Sequence, residues 1–154
     1  PDEVASEVVT LLHREAELGR VTLELNADPA TPKVVAARDQ IHQVMLNLAL
    51  NALSVTPPDG EVHLRTAPAP GGDGVEIEVR DTGPGIPPEH LEQIFDPFFT
   101  TKGPDSGSGL GLMVCHRIAV DHHGTIEVTS REGRGATFLV RLPLDAREAS
   151  SATA

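Results

Sequence analysis

The 154-residue chain has no Trp and no Tyr, four Phe, a single Cys, and only two Lys. With few rings to stack on bases, and 23 Asp plus Glu against 12 Lys plus Arg, its net charge of -11 repels a phosphate backbone. Nucleic-acid binding is excluded as a general activity. The lone thiol, Cys115, can form neither an internal disulfide nor a thiolate zinc site, so nothing calls for an oxidising compartment and a cytoplasmic setting is expected. No apolar run approaches the ~20 residues that cross a bilayer. The opening Pro1-Asp2-Glu3 carries no signal-like region. The expectation is a single globular domain without membrane contact of its own, even if its parent protein is membrane-anchored.

What is present reads as alternating elements. Val4, Val8, Leu11, Leu12 and Leu18 recur at helical spacing up to Gly19, which predicts a leading helix over 1–18 with glycine as its stop. Residues 21–25 alternate as a strand. Residues 38–55 hold no Gly or Pro, follow a helical apolar pattern, and end at Pro57-Pro58-Asp59-Gly60. Two alternating stretches, 61–66 and 75–79, flank a Pro/Gly loop and predict neighbouring antiparallel strands. Residues 81–111 are dense in Gly, Pro, Asp and Thr, and a connection this long inside a small domain is usually functional. A second helix is predicted over 110–122, a closing hairpin over 124–130 and 136–142, and a disordered tail over 146–154. The order points to an α+β sandwich with helices on one sheet face.

On the long helix two apolar faces, Ile41, Val44, Met45, Leu48, Ala52, Val55 and Leu46, Ala49, Leu50, Leu53, leave a narrow strip of Gln40, Gln43, Asn47, Asn51 and Ser54. The strip has amides and a hydroxyl but no charge. Asn is a poor helix former, and a solvated face more commonly uses Glu, Lys or Arg. Either the amides bond to backbone in an ordinary seam, or they line a cleft where their oxygens suit Mg²⁺.

Beyond residue 79 the strand runs into Asp81-Thr82-Gly83-Pro84-Gly85-Ile86, a carboxylate beside two residues without side chains. Ordinary turns look like this, and so does a site where backbone and ligand meet closely and a carboxylate accepts from an amine. Gly107-Ser108-Gly109-Leu110-Gly111-Leu112 leads into a helix, whose first amides attract phosphate. It is no Walker loop, since neither lysine follows a glycine, and no Asp-Phe-Gly of protein kinases occurs. Between the clusters, Phe95-Asp96-Pro97-Phe98-Phe99-Thr100-Thr101-Lys102 holds three of the four aromatics, suited to latching a loop onto the core, and a lysine able to neutralise a phosphate. Gly133-Arg134-Gly135 with Thr137 and Phe138 signals by itself only a hairpin turn.

In this order the segments closely resemble the catalytic, ATP-binding domain of bacterial two-component sensor histidine kinases, within the gyrase, Hsp90, histidine kinase and MutL superfamily. The resemblance covers roughly residues 20 to 143: 47–52 matches the N box, 81–85 the first glycine box, 95–99 the F box, 107–111 the second glycine box and 133–138 the third. It implies a Bergerat fold, a mixed five-stranded sheet covered by three helices with a flexible ATP lid. By the same resemblance Asn51 coordinates Mg²⁺, Asn47 supports it, Asp81 reads the adenine amino group with Gly83, Gly85, Ile86 and Thr137, and Phe99, Thr101 and Lys102 belong to the lid. Gly107, Gly109, Leu110, Gly111 and Leu112 hold phosphates, with Lys102 as the lid cation. ATP or ADP with Mg are the implied cofactors.

The resemblance also implies partners: a histidine-bearing dimerisation domain in the parent chain, from which residues 1–18 would lead, and a cognate response regulator. Residues 19–145 would be the ATP-binding domain. Two positions depart from the family. Ser54 and Val55 stand where a basic and an aromatic residue are common, and Asn47 stands where hydrolytic cousins carry a Glu base, which argues against intrinsic hydrolysis. Transfer to a neutral imidazole needs no such base. No acceptor histidine pattern surrounds His13, which reads as helix surface. A nucleotide-binding regulatory module without transfer activity and a serine kinase of the anti-sigma type remain as alternatives.

Overall fold

The computed structural model describes residues 1–97, 99 and 110–144. Along the chain run α1 (Asp2–Leu18), β1 (Thr22–Ala27), α2 (Arg38–Val55), β2 (Glu61–Pro68), β3 (Gly74–Asp81), a 3-10 turn (Pro88–His90), α3 (Gly111–Asp121), β4 (Thr125–Ser130) and β5 (Ala136–Pro143). The strands form one sheet in the order β1-β2-β3-β5-β4. β1 and β2 are parallel, so α2 serves as the crossover between them, and the other pairs are antiparallel.

Alternation along the strands assigns the two faces of the sheet. Val62, Leu64 and Thr66 of β2, Val75, Ile77 and Val79 of β3, and Phe138, Val140 and Leu142 of β5 are all buried toward the helices. Each helix answers with an apolar stripe: Val4, Ala5, Val8, Leu12 and Ala16 from α1, Ile41, Val44, Met45, Leu48, Ala49 and Ala52 from α2, and Cys115, Ile118 and Ala119 from α3. A buried side chain of this size contributes roughly 1.5–3 kcal/mol relative to exposure, so the stripes fix which helix face meets the sheet. The fully buried hydroxyl of Thr66 donates to Asp2 Oδ1 at 2.6 Å, tying the start of α1 to β2. The opposite sheet face carries charge, with Arg141 reaching Glu76 and Glu127 and Arg65 reaching Glu76 and Glu78. The result is the two-layer α+β sandwich expected, three helices on one face of a mixed five-stranded sheet.

α1 ends at Leu18 with Gly19 as its C-cap, as expected; Gly19 is right-handed with φ -81°, and Arg20 takes φ 55°. The turn closes because Val21 N–H donates to the Ala16 carbonyl and Arg20 N–H to that of Glu17. Within 81–111 the 3-10 turn at Pro88–His90 is followed by further turns. Leu50, expected in the second apolar face of α2, is 40% exposed, because α1 covers Ala49 beside it and not the outermost ridge. The anticipated latch is there: Ile94 is buried, the Phe95 ring meets His116 of α3 at 5.6 Å, and Phe99 stands edge-on to His90. Residues 100–109 of the expected lid and the tail 146–154 lie outside the described residues.

Candidate functional site

α2 positions the amide strip. Asn47 and Asn51 are half-buried while Gln40, Gln43 and Ser54 are exposed, so the strip narrows to two amides one turn apart. Each end of this pair meets a different element. At the Asn47 end lies the start of α3: a Cβ on Gly111 would stand 3.9 Å from Asn47 Cγ. One turn into α3, the buried Cys115 Sγ lies 3.8 Å from the Val44 carbonyl and pairs with the Asn47 side chain. At the other end, Val55, one turn beyond Asn51, has its carbonyl 2.9 Å from where Gly83 would carry a Cβ. From Asn47 to Val55 is eight residues, about 12 Å of helix.

Asp81 closes β3 and is 4% exposed. Its Oδ1 accepts from Gly83 N–H at 2.8 Å, and Ala136 N–H also bonds to the carboxylate. Burial pushes its carboxyl above the ordinary 3.8, and these two backbone donors offset only part of that. Among the described residues no cation pairs with it. A carboxylate in such a place gains from any neutral donor, and an exocyclic amine is one.

The turn after Asp81 is bolted to the β4–β5 hairpin. Gly85 has φ +75°, and a Cβ there would sit 2.2 Å from the Arg131 carbonyl; Gly133 N–H donates to Pro84 O at 2.6 Å. Gly135, φ +82°, lies so close that a Cβ would fall 2.0 Å from Asp81 O. Thr82 Oγ1 accepts from Glu61 N–H at 2.9 Å, holding the same turn to β2.

Part of the set singled out from sequence meets along α2: Gly111 approaches Asn47, Gly83 approaches the Val55 carbonyl, and Asp81 accepts from Gly83 N–H. Gly85 and Ile86 follow in the turn held to the β4–β5 hairpin, Leu110 precedes α3, and Leu112 is half-buried in its first turn. Thr137 does not join them. It pairs with Arg80 on the outer face, because β5 buries Ala136 and Phe138 and turns Thr137 the other way; the residue opposite Asp81 is Ala136. Phe99 packs against the core with His90. Thr101, Lys102, Gly107 and Gly109 lie outside the described residues. Sequence reasoning missed Ser130, whose Oγ joins Ile86 to Gly135, and His122, whose Nε2 accepts from Ala37 N–H at the start of α2. Only a serine just before a Gly-rich turn, and nothing for His122, marked them in advance.

Set out along α2 are a buried carboxylate able to accept from an amine, two neutral amides whose oxygens suit a hard cation, and a helix start suited to anions. The chain belongs to the histidine kinase-, DNA gyrase B- and HSP90-like ATPase family, whose pattern matches residues 36–146. Within it the likeness is to sensor histidine kinases. ZraS of Escherichia coli strain K12 is 40% identical over 135 residues, which are 88% of this chain and 28% of that kinase, so the chain spans less than a third of that relative. The catalytic domain of histidine kinase ThkA superposes with a TM-score of 0.84 at 33% identity, covering 95% of this chain and 93% of that one. ThkA in complex with the response regulator protein TrrA gives 0.79 at 31% identity over 95% and 41% of the two chains. Full-length ShkA in complex with AMPPNP gives 0.83 at 30% identity over 92% and 29%.

Proposed function

We propose that this chain is the catalytic domain of a two-component sensor kinase, holding Mg-ATP and presenting its γ-phosphate to a histidine on a separate dimerisation domain. The observation that carries the reading is what α2 brings together along its length: Gly111, which opens α3, approaches Asn47, and about 12 Å along the helix the Val55 carbonyl approaches Gly83, whose N–H donates to the buried Asp81 carboxylate. The purine amine donates to Asp81, which needs a donor and has no countercharge among the described residues. Gly83 and Gly85 keep side chains out of the ring's path. Magnesium, when bound, neutralises phosphate charge, and the Asn51 carboxamide with Asn47 behind it is the oxygen set that fits it. The amides of Gly111 and Leu112 hold the phosphates, and Lys102, with Gly107 and Gly109, is assigned to the same end. Asn47 cannot act as a base, so the cleft positions ATP for transfer and does not activate water.

The acceptor is placed outside this chain, in keeping with His13, which lies on the exposed side of α1 paired with Glu17. We assign residues 19–145 to the nucleotide domain and α1, which completes the helical layer, to the path from an upstream dimerisation domain. Phosphate would pass on to a response regulator on the cytoplasmic side, as the ThkA complex with TrrA suggests by analogy. One observation favours a second reading, a nucleotide-occupied module without transfer: Ser54 Oγ turns back to donate to the Asn51 carbonyl at 2.8 Å, so α2 offers the cleft no charge there. Incubation with γ-labelled ATP and the parent's helical-hairpin domain separates the readings. Acid-labile, alkali-stable label on that domain is expected. Absence of label would support the second reading, and label on serine would overturn both.

A further inference from the structure

The geometry points to Ser130 as a positioning residue for nucleotide binding, a single hydroxyl that locks the turn after Asp81 to the last glycine segment. This rests on the nucleotide reading above and adds a residue to it. Ser130 ends β4, an edge strand, and is half-buried. Its Oγ accepts from Ile86 N–H at 2.7 Å and donates to the Gly135 carbonyl at 2.9 Å, so its one proton and one of its lone pairs are both used.

Those two partners belong to the two backbone segments that frame Asp81. Ile86 is the first residue after the Asp81–Gly85 turn. Gly135 packs its α-carbon against the Asp81 carbonyl, and the next residue, Ala136, donates its N–H to the Asp81 carboxylate. Gly133 N–H to Pro84 O is a second hydrogen bond between the turn and the hairpin. Loss of the hydroxyl leaves Ile86 N–H without its acceptor and the turn with one tie fewer, beside the Gly133–Pro84 hydrogen bond and the packing of Gly85 on Arg131. Asp81 then no longer meets a purine at a fixed distance. Among the described residues the hydrogen bonds of this linkage run to the turn and the hairpin and not to α3, so the effect is expected at the purine end.

The test compares wild type, Ser130→Ala and Ser130→Thr in calorimetric ADP titrations with Mg²⁺ and with EDTA, alongside amide hydrogen exchange of the unliganded proteins. Ser130→Ala is expected to weaken ADP about tenfold, the loss of roughly one well-made hydrogen bond. The ratio of affinities with and without Mg²⁺ should stay at the wild-type value, which a general loosening of the domain would not leave unchanged. Ser130→Thr, which keeps the hydroxyl, should recover affinity to within about threefold. Exchange at Ile86 should quicken selectively in Ser130→Ala, and this reads the linkage whether or not nucleotide binds. Unchanged ADP affinity in Ser130→Ala, or slow exchange at Ile86, would overturn the assignment. Failure of the wild type to bind ADP, with Ile86 exchange still sensitive to Ser130, would instead overturn the nucleotide reading.

Discussion

Two glycines on one turn offer a controlled measurement of how tightly the Asp81 end is built. Gly133 and Gly135 have nearly the same φ, +81° and +82°, a value L side chains rarely adopt, so an alanine at either carries a backbone penalty of roughly 1–2 kcal/mol. Space separates them. A Cβ at 133 meets nothing within 4 Å, whereas at 135 it falls 2.0 Å from Asp81 O and 2.9 Å from Asp81 C. Both are backbone atoms, so no rotamer relieves the clash, and the pairing of Arg80 with Thr137 must open by about an ångström. Gly133→Ala should therefore cost about 1 kcal/mol, and Gly135→Ala about 3 kcal/mol or more, in the range of other backbone-strain mutants. In thermal unfolding the two should fall by roughly 2–4 °C and 6–12 °C. ADP binding should survive Gly133→Ala and be lost in Gly135→Ala at temperatures where both are folded. Equal destabilisation, or Gly135→Ala binding ADP normally, would refute the close approach on which the Asp81 pocket depends.

Other consequences can be checked alongside. The Asp81 carboxyl is raised above 3.8 by burial, so the folded state binds its proton more tightly than the unfolded chain does. Asp81 ionisation therefore costs the folded state: wild-type stability relative to Asp81→Asn should fall as pH rises from 3.8 through the folded value and then level off, and urea titrations from pH 3 to 8 showing a rise would contradict it. Cys115, fully buried with its thiol pushed up to about 12, should resist a disulfide reagent at pH 8 in the native protein and react only in urea, with rapid native labelling the contrary result. His122→Ala removes the acceptor for Ala37 N–H and the Nδ1 donor to Ile118 O, and urea unfolding should show a loss of roughly 1–2 kcal/mol.

α2 was legible almost to the residue, since a run of 18 residues without Gly or Pro and with clean periodicity leaves little to tertiary context. The β2–β3 and β4–β5 pairs were legible for the same reason, alternation bounded by turn residues, whereas the parallel β1–β2 and the β3–β5 pairings join segments far apart in the chain. Asn47, Asn51 and Asp81 stood out because their chemistry was odd for their local setting, an uncharged amide strip and a carboxylate between glycines. Thr137 shows the limit: the strand was right, but a shift of one residue exchanges the two faces of a sheet, and the register that turns Ala136 toward Asp81 is set by pairing with β3. Ser130 and His122 were beyond reach because their partners lie 44 and 85 residues away, at distances that periodicity does not encode.

The proposal that Asp81 and Asn51 serve one bound nucleotide is tested most directly by calorimetric titration of ADP into this chain, with Mg²⁺ and with EDTA, for the wild type, Asp81→Asn and Asn51→Ala. Binding in the wild type that strengthens with Mg²⁺, disappears in Asp81→Asn, and persists in Asn51→Ala without any response to the metal is the result predicted. Identical titrations in all three proteins would contradict it.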